Sequence, residues 1–216
     1  MQMITINEVS APKVAARLLE IDAIKLNTQK PFTWSSGWKS PIYCDNRLSL
    51  SYPDLRSYIK EQFAAIVRKE FASAELIAGV ATAGIAQGAL LADALQLPYA
   101  YVRPKPKEHG MGNQIEGRAE KGKKVILVED LVSTGGSSLK AAEALQKAGL
   151  KVLGMLAIFT YGFDLAEKNF ADAGIKLVCL SDYNYLIKEA LNAGKVSEEQ
   201  LMLLKSWRYD PANWKV

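Results

Sequence analysis

Short apolar segments alternate with segments of helical periodicity along most of the chain, and this alternation constrains the fold more than any other feature. Apolar runs such as ELIAGV at 75–80, KVILVED at 124–130 and KVLGMLAIFTY at 151–161 are each followed by apolar residues at helical spacing. Strands that are apolar throughout and separated by helices are typical of a parallel sheet covered on both faces. We therefore predict an α/β fold, with a mostly parallel sheet flanked by helices.

The N-terminal part differs from this pattern. Residues 10–27 open with Ser10, a possible N-cap, and repeat apolar residues at helical spacing, which predicts a helix. The turn-rich, aromatic segment PFTWSSGWKSPIYCDN that follows predicts a short hairpin or an extended arm. We predict that residues 1–50 form a small N-terminal hood on a core of residues 51–216, the two together making one structural domain.

Composition restricts the class of protein. The formal net charge of +4 over 216 residues suits an anionic small-molecule substrate but falls short of the basic excess of nucleic-acid binders. Two cysteines, Cys44 and Cys179, are too few for a disulfide framework and favour a reducing compartment. No secretory signal or membrane-spanning apolar run is evident in the sequence. We predict a cytoplasmic protein with neither a nucleic-acid nor a membrane partner.

A predicted strand ends in two acids, Glu129 and Asp130, followed by a loop of small and hydroxyl residues. In an open parallel sheet, ligands bind beyond the carboxyl ends of the strands. Beyond this strand a helix is predicted to begin near Gly136 or Ser137, and its free N–H groups and dipole suit a phosphate. Close approach to an anion is favoured by Gly135 and Gly136, and hydroxyl donors are supplied by Ser133, Thr134, Ser137 and Ser138.

The two carboxylates would repel the same phosphate, so they call for a different ligand group. They suit a hydrogen-bond donor such as a pair of ribose hydroxyls, or a divalent cation. A phosphorylated ribose would satisfy both halves of the site. The alternative is an ordinary strand-to-helix turn with solvated acids and Ser137 as the helix cap. Neither the lysine of a P-loop nor a GxGxxG fingerprint is present at this loop.

A long polar connection, residues 103–121, carries a cluster of cations. Arg103, Lys105 and Lys107 are followed by His109, which is the only histidine in the chain. Long loops in compact domains are often lids or binding segments, and a cationic lid would neutralise a departing anion and exclude water. His109 could donate to a phosphate or carry a proton, since its ordinary pKa is near neutrality. The alternative is a solvated basic surface loop.

The string from Val125 to Gly136 resembles the phosphoribosyl-pyrophosphate (PRPP) binding motif of the type I phosphoribosyltransferases. FTWSSGWKSPIYCDNR at 32–47 is similar to the N-terminal signature of the orotate phosphoribosyltransferases, RPKPKEHG to their mobile catalytic loop, and IAGVATAG at 77–84 follows in the expected order. The resemblance covers most of the chain. It implies transfer of phosphoribosyl from PRPP to orotate with Mg²⁺, in homodimers whose loop reaches the neighbouring subunit's site.

The resemblance also implies site residues. Those expected to bind PRPP are Arg103, Lys105, Lys107, His109, Glu129, Asp130, Leu131, Val132, Ser133, Thr134, Gly135, Gly136 and Ser137. Those expected to bind orotate are Lys39, Tyr43, Cys44 and Ser133. Lys107, His109 and Asp130 are the expected catalytic residues. Mg²⁺ is expected to arrive with PRPP, with Glu129 or Asp130 reaching it through water, and no site made of protein ligands alone is expected.

The chain departs from one common version of the family pattern. Some members carry lysine where this chain has Ser35, Ala83 and Pro104, and an arginine after the strand that ends near Tyr161. Lys39, Lys105 and Arg47 are the possible substitutes, and the sequence leaves the choice among them open. Two other functions stay open as well: transfer to another base, and a non-catalytic PRPP-sensing regulator, which would call for a DNA-binding extension and a decayed loop.

Overall fold

The computed structural model describes residues 2–34, 37–105 and 114–214, which form eleven strands, seven α-helices and one 3₁₀ helix. The strands are β1 Ile4–Ile6, β2 Ile24–Leu26, β3 Phe32–Thr33, β4 Lys39–Ser40, β5 Ile42–Cys44, β6 Leu76–Val80, β7 Tyr99–Val102, β8 Ile115–Glu116, β9 Lys124–Val132, β10 Lys151–Thr160 and β11 Leu177–Asp182. The α-helices are α1 Ala11–Glu20, α2 Pro53–Glu70, α3 Gly84–Leu95, α4 Gly136–Lys147, α5 Asp164–Ala173, α6 Tyr183–Asn192 and α7 Glu198–Tyr209, and the 3₁₀ helix is Asn46–Ser51.

Seven strands form one sheet in the order β1-β11-β10-β9-β6-β7-β8. Every neighbouring pair is parallel except β7 with β8, which is antiparallel at the edge. The prediction of a mostly parallel sheet is confirmed. Because β9 lies near the middle of this sheet, the carboxyl ends of β6 and β10 flank the end of β9, where the two acids lie.

Helices cover both faces of the sheet, as expected for strands that are apolar throughout. Along β9, Ile126 and Val128 face a core that α1, α2, α3, α6 and α7 cover. Val125 and Leu127 face the opposite core, beneath α4 and α5. No helix within the described residues combines the length and apolar character needed to cross a membrane.

The predicted helix over residues 10–27 was too long. Helix α1 ends at Glu20, and Asp22 takes a left-handed conformation with φ of 55°. Residues Ile24–Leu26 instead form β2, which pairs antiparallel with β5. The error is understandable, because Ile21, Ile24 and Leu26 fit a helical stripe about as well as a short strand.

The predicted hood is divided between two parts of the structure. Strand β1 pairs with β11 as an edge strand of the main sheet, and α1 packs against α6 and β11. Residues 24–44, which we call the arm, form two small antiparallel pairs, β2 with β5 and β3 with β4. Trp34 of the arm lies 5.0 Å from Tyr161 and 5.5 Å from Trp207, measured between ring centroids. The arm therefore packs against the end of β10 and against α7.

Candidate active site

Glu129 and Asp130 lie at the carboxyl end of β9 with different surroundings. Glu129 is buried, with 6% of its surface exposed. Its Oε2 accepts a hydrogen bond from Ser138 Oγ of α4 at 3.0 Å, and its Oε1 accepts one from the backbone N–H of Asp130 at 3.0 Å. The carbonyl of Asp130 accepts from Asn46 Nδ2 at 2.8 Å. The acidic pair is thus held from α4 on one side and from the 3₁₀ helix on the other.

Burial and mutual repulsion disfavour two charges at this pair. Burial raises the pKa of Glu129 to about 8, and the neighbouring charge of Asp130 adds to the increase. Burial also raises the pKa of Asp130, against the hydrogen bonds that favour its ionised form. Near neutral pH the pair therefore shares a proton in the unliganded protein. A ligand that donates hydrogen bonds or brings a cation would stabilise the fully ionised form.

The loop that follows, residues 133–137, is fixed from α5. Asn169 Nδ2 donates to the carbonyl of Thr134 at 2.9 Å. Gly135 has φ of +83°, and a Cβ there would lie 2.6 Å from Phe170 Cε2, so only glycine suits the position. Gly136, by contrast, has open space where a Cβ would be.

Helix α4 begins at Gly136, as predicted, with Gly135 as its N-cap. No side chain in the described parts of the chain caps its first turn, so Ser137 does not serve as the cap that the ordinary-turn alternative requires. The first backbone N–H groups of α4 therefore point out of the helix without an intrahelical acceptor. Such an end attracts anions.

A cavity of about 450 Å³ lies between this loop and the arm. It is lined by Thr33, Trp34, Trp38, Tyr43, Cys44, Leu131, Ser133, Thr134, Tyr161 and Phe163. Of the four residues expected to bind orotate, Tyr43, Cys44 and Ser133 line this cavity. Lys39 does not line it: its side chain is exposed, and its Nζ donates to Thr33 Oγ1 at 2.8 Å. We call this space the base cavity.

Aromatic residues form one wall of the base cavity. Tyr161 stacks on Phe163 with centroids 5.5 Å apart, and both contact the buried Trp207 edge to face. Burial raises the pKa of the Cys44 thiol well above its ordinary value, and Cys44 Sγ donates to Asn46 Oδ1 at 3.1 Å. Cys44 therefore stays protonated, which argues against a nucleophilic role.

A second, smaller cavity of about 240 Å³ lies on the other side of the α4 N-terminus. It is lined by Val80, Ala81, Val102, Arg103, Pro104, Gln114, Ser137, Lys140 and Ala141. Two hydrogen bonds fix the backbone of Arg103: its N–H donates to the carbonyl of Gln114, and its carbonyl accepts from Gln114 Nε2. Its Nη1 lies 3.7 Å from Glu116 Oε1. Arg103 and Lys140 thus both line this second cavity, and Ser137 belongs both to its lining and to the loop.

The other residues predicted to bind PRPP, and the possible substitute cation Arg47, have varied surroundings. Leu131 lines the base cavity, while Val132 is buried and its carbonyl accepts from Thr160 Oγ1. Lys105 is exposed, and Lys107, His109 and Ser35 lie outside the described residues. Arg47, one possible substitute cation, forms a bidentate pair with Asp45, with Nε–Oδ1 and Nη2–Oδ2 distances of 2.6 and 2.9 Å. That pairing leaves Arg47 poorly suited to bind a second carboxylate.

Several residues at the site were not predicted as ligands. Trp34 and Trp38 belong to the aromatic segment predicted to form a hairpin or an arm, and both line the base cavity. Tyr161 and Phe163 follow β10, the neighbour of β9, so the rule that ligands bind at strand ends could have indicated them. Nothing local in the sequence indicates Asn46 or Asn169, since each acts across a long sequence separation.

Comparisons with known proteins agree with this geometry. The family model for the phosphoribosyl transferase domain matches residues 53–184. The orotate phosphoribosyltransferases of Cytophaga hutchinsonii and Porphyromonas gingivalis are 56% and 54% identical over 203 residues, each match covering 94% of this chain and 97% of the relative. The crystal structure of orotate phosphoribosyltransferase from Aeropyrum pernix is 30% identical, with a TM-score of 0.73, and the match covers 85% of this chain and 99% of that one. The similarity therefore extends well beyond the loop and its acidic pair.

Proposed function

Since the chain belongs to the family of orotate phosphoribosyltransferases, we propose that it transfers the phosphoribosyl group of PRPP to orotate. The products are orotidine 5′-monophosphate and pyrophosphate, as in pyrimidine biosynthesis. One observation carries the proposal: the paired carboxylates, the open N-terminus of α4 and an aromatic cavity meet at the end of β9. These three features suit the hydroxyls, the phosphate and the base of one product molecule.

We assign the 5′-phosphate of PRPP to residues 133–137. The N–H groups at the start of α4 and the hydroxyls of Ser133, Thr134 and Ser137 would donate to its oxygens, and Gly136 leaves room for close approach. The ribose hydroxyls would donate to Glu129 and Asp130. Because hydroxyl donors favour the ionised carboxylates, PRPP binding would release the proton that the acidic pair holds.

The planar base would occupy the base cavity, between the arm and the Tyr161–Phe163 wall. Its volume of about 450 Å³ is within the range of small-molecule sites. Ser133 lines both this cavity and the phosphate loop, so the base would lie directly beside the anomeric carbon of the ribose. Tyr43 and Cys44 would contact the base from the arm side.

In the reaction, a ring nitrogen of orotate forms a bond to the anomeric carbon, and the bond from that carbon to the pyrophosphate oxygen breaks. The proton that the ring nitrogen loses passes to the leaving pyrophosphate or to solvent. The bonding electrons leave with pyrophosphate, so positive charge develops on the ribose and negative charge on the leaving group. Asp130 would stabilise the electron-poor sugar. Arg103 and Lys105, together with Lys107 and His109, would neutralise the departing pyrophosphate.

Mg²⁺ fits this arrangement as a partner of PRPP. Within the described residues there is no cluster of three or more side chains able to hold a metal ion. Two adjacent carboxylates together with phosphate oxygens suit a cation that keeps several waters, and Glu129 or Asp130 would reach it through water. When bound, Mg²⁺ would supply positive charge against the pyrophosphate.

We further propose a homodimer in the reducing cytoplasm, in which the loop containing Lys107 and His109 completes the neighbouring subunit's site. The neutral, reduced cysteines Cys44 and Cys179 are consistent with a reducing compartment. A mixed dimer would test the sharing directly. One subunit would carry Asp130→Asn and the other Lys107→Ala, and recovery of part of the activity lost in both parents is expected only if the loop acts across the interface.

The activity test is an absorbance assay of the purified protein with PRPP, Mg²⁺ and orotate. We expect orotate to be consumed only when all three are present. Uracil, adenine and hypoxanthine in parallel reactions would identify another base, and consumption of one of them without consumption of orotate would overturn the proposal. Absence of turnover with every base, combined with tight PRPP binding, would favour the regulator instead.

A further inference from the structure

Two consecutive residues of α7 connect the two walls of the base cavity. Trp207 Nε1 donates to the carbonyl of Lys39 in the arm at 3.1 Å. The guanidinium of Arg208 donates to the other wall, with Nε 3.2 Å from the carbonyl oxygen of Tyr161 and Nη2 bonded to the carbonyl oxygen of Gly162. The C-terminal helix therefore holds the arm and the end of β10 at a fixed separation.

The charge of Arg208 is not neutralised by these contacts. Both of its acceptors are main-chain carbonyls, which accept hydrogen bonds without cancelling a full charge. Four other arginines lie within 4.0 Å of a carboxylate, namely Arg17, Arg47, Arg103 and Arg118. Arg208 forms no such ion pair with any of the described residues. Since it is half-buried, its charge is also less screened than that of an exposed arginine.

The base cavity, by contrast, contains no cationic side chain among the described residues that line it. Arg208 lines a third cavity of about 210 Å³, which shares Trp38, Thr134 and Phe163 with the base cavity. Asp164 also lines this third cavity, but it forms no ion pair with Arg208 in the described structure. Orotate carries a carboxylate that is ionised at neutral pH, and an ionised group inside a mostly apolar cavity needs a compensating charge. Arg208 is placed to provide it through the wall.

We propose that Arg208 is a positioning residue for the base: it fixes the Tyr161–Phe163 wall and supplies positive charge that favours an anionic base in the cavity. The inference rests on the proposed function, and it adds to that function a determinant of base specificity on the C-terminal helix. The conformation of Gly162 supports the assignment. Its φ is +66°, and a Cβ there would lie 3.2 Å from Arg208 Nη2, so the space beside the wall is reserved for the guanidinium.

The test compares Arg208→Gln and Arg208→Lys with the wild-type enzyme at full length. The glutamine variant removes the charge. The lysine variant keeps the charge but loses the planar guanidinium that donates to the carbonyls of Tyr161 and Gly162. We expect Arg208→Gln to raise the KM for orotate about tenfold, with the KM for PRPP and kcat changed by less than about threefold. We expect Arg208→Lys to raise the KM for orotate by no more than about threefold.

The matched control is Arg68→Gln. Arg68 is an exposed arginine of α2 whose Nη2 also donates to a main-chain carbonyl, that of Ala94, at 3.2 Å, yet neither of these residues lines the base cavity. Its variant should leave both KM values unchanged. Equal increases in the two KM values for Arg208→Gln, or a lower melting temperature with both KM values unchanged, would overturn the proposal and leave Arg208 a purely structural residue.

Two further outcomes are decisive. If Arg208→Gln does not fold, Arg208→Lys carries the test. A rise of about two- to threefold in the KM for orotate with the KM for PRPP unchanged supports the proposal, and an equal change in both KM values, or no change in either, refutes it. A wild-type protein that consumes no orotate would refute the proposed function before any variant is measured. The two failures are therefore distinguishable.

Discussion

The two sides of the proposed site are built in different ways. The sugar side, residues 129–138, is continuous in the chain, and hydrogen bonds to Glu129, Thr134 and the carbonyl of Asp130 fix it. The base side combines the arm with residues 161–163 and α7, which both lie more than a hundred residues beyond the arm in the chain. Aromatic packing and two polar links from α7 hold the base side together.

This difference separates effects on turnover from effects on the binding of the base. The sugar side acts where charge develops in the transition state, so changes there should mainly alter turnover. The base side contacts a group whose charge changes less, so changes there should mainly alter the binding of orotate. Each of the following predictions would sharpen that separation or break it.

The largest effect is expected for Asp130→Asn. The amide keeps the size of the carboxylate but removes the charge that would stabilise the electron-poor ribose, so kcat should fall by about 10²–10³. Asp172→Asn is the matched control, because Asp172 is an exposed aspartate of α5 that pairs only with Lys168 in the described structure. A loss of less than tenfold in kcat for Asp130→Asn would remove Asp130 from the proposed chemistry.

The second prediction concerns the backbone of the phosphate loop. In Gly135→Ala, a side chain would be forced to φ of +83° and its Cβ would overlap Phe170. We expect a loss of about 3 kcal/mol in the free energy of unfolding, combining a left-handed residue with overpacking. The KM for PRPP should rise as well, because the loop must move. Denaturant unfolding and steady-state kinetics would measure the two effects.

Gly174→Ala separates the cost of the left-handed conformation from the cost of the overlap with Phe170. Gly174 also has positive φ, +64°, but it has open space where a Cβ would be and lies at the C-terminal end of α5. Its variant should lose only about 1 kcal/mol, with the KM for PRPP unchanged. Equal losses for the two variants would show that the contact with Phe170 does not constrain the loop.

The sugar side was the more predictable part of the site, because its residues follow one another along the chain. The apolar run before Glu129 predicted the strand, and the glycines after it predicted the start of α4 at Gly136. Local sequence determines both features. The missed edge strand β1 is only three residues long, too short for any periodicity to be visible.

The base side could be predicted only in part. The arm segment was expected to bind orotate, and Tyr43 and Cys44 do line the base cavity. No sequence pattern indicated the contacts of Trp207 and Arg208, because their hydrogen bonds reach the carbonyls of residues 39, 161 and 162, which are distant in the chain. Helical spacing indicates which residues of α7 are apolar, but the carbonyls they meet depend on how α7 packs.

The third prediction uses the proton that the acidic pair holds. The pKa of Glu129 rises from 4.5 to about 8 on folding, so this residue favours the folded state most at low pH. That contribution is lost as pH rises from about 4.5 to about 8, because the folded state must then ionise a buried group. Glutamine cannot ionise. In Glu129→Gln the unliganded protein should therefore lack this part of the pH dependence.

The measurement is the difference in unfolding free energy between wild type and Glu129→Gln, without PRPP or Mg²⁺. We expect the wild type to lose about 2.5 kcal/mol relative to the variant between about pH 5 and about pH 7, at about 1.4 kcal/mol for each pKa unit. A difference that stays constant over this range would mean that Glu129 is already ionised in the unliganded protein.

The smallest effect is expected on the base side, for Trp207→Phe. Phenylalanine keeps an aromatic ring among Trp34, Tyr161 and Phe163 but cannot donate to the carbonyl of Lys39. Losing that bond should cost about 1 kcal/mol of stability and raise the KM for orotate about threefold, with the KM for PRPP unchanged. Measuring both KM values is essential, because the arm contributes residues to the base cavity but none to the phosphate loop. An equal rise in the KM for PRPP would show that the arm and the phosphate loop move together, and the two sides of the site would then not act independently.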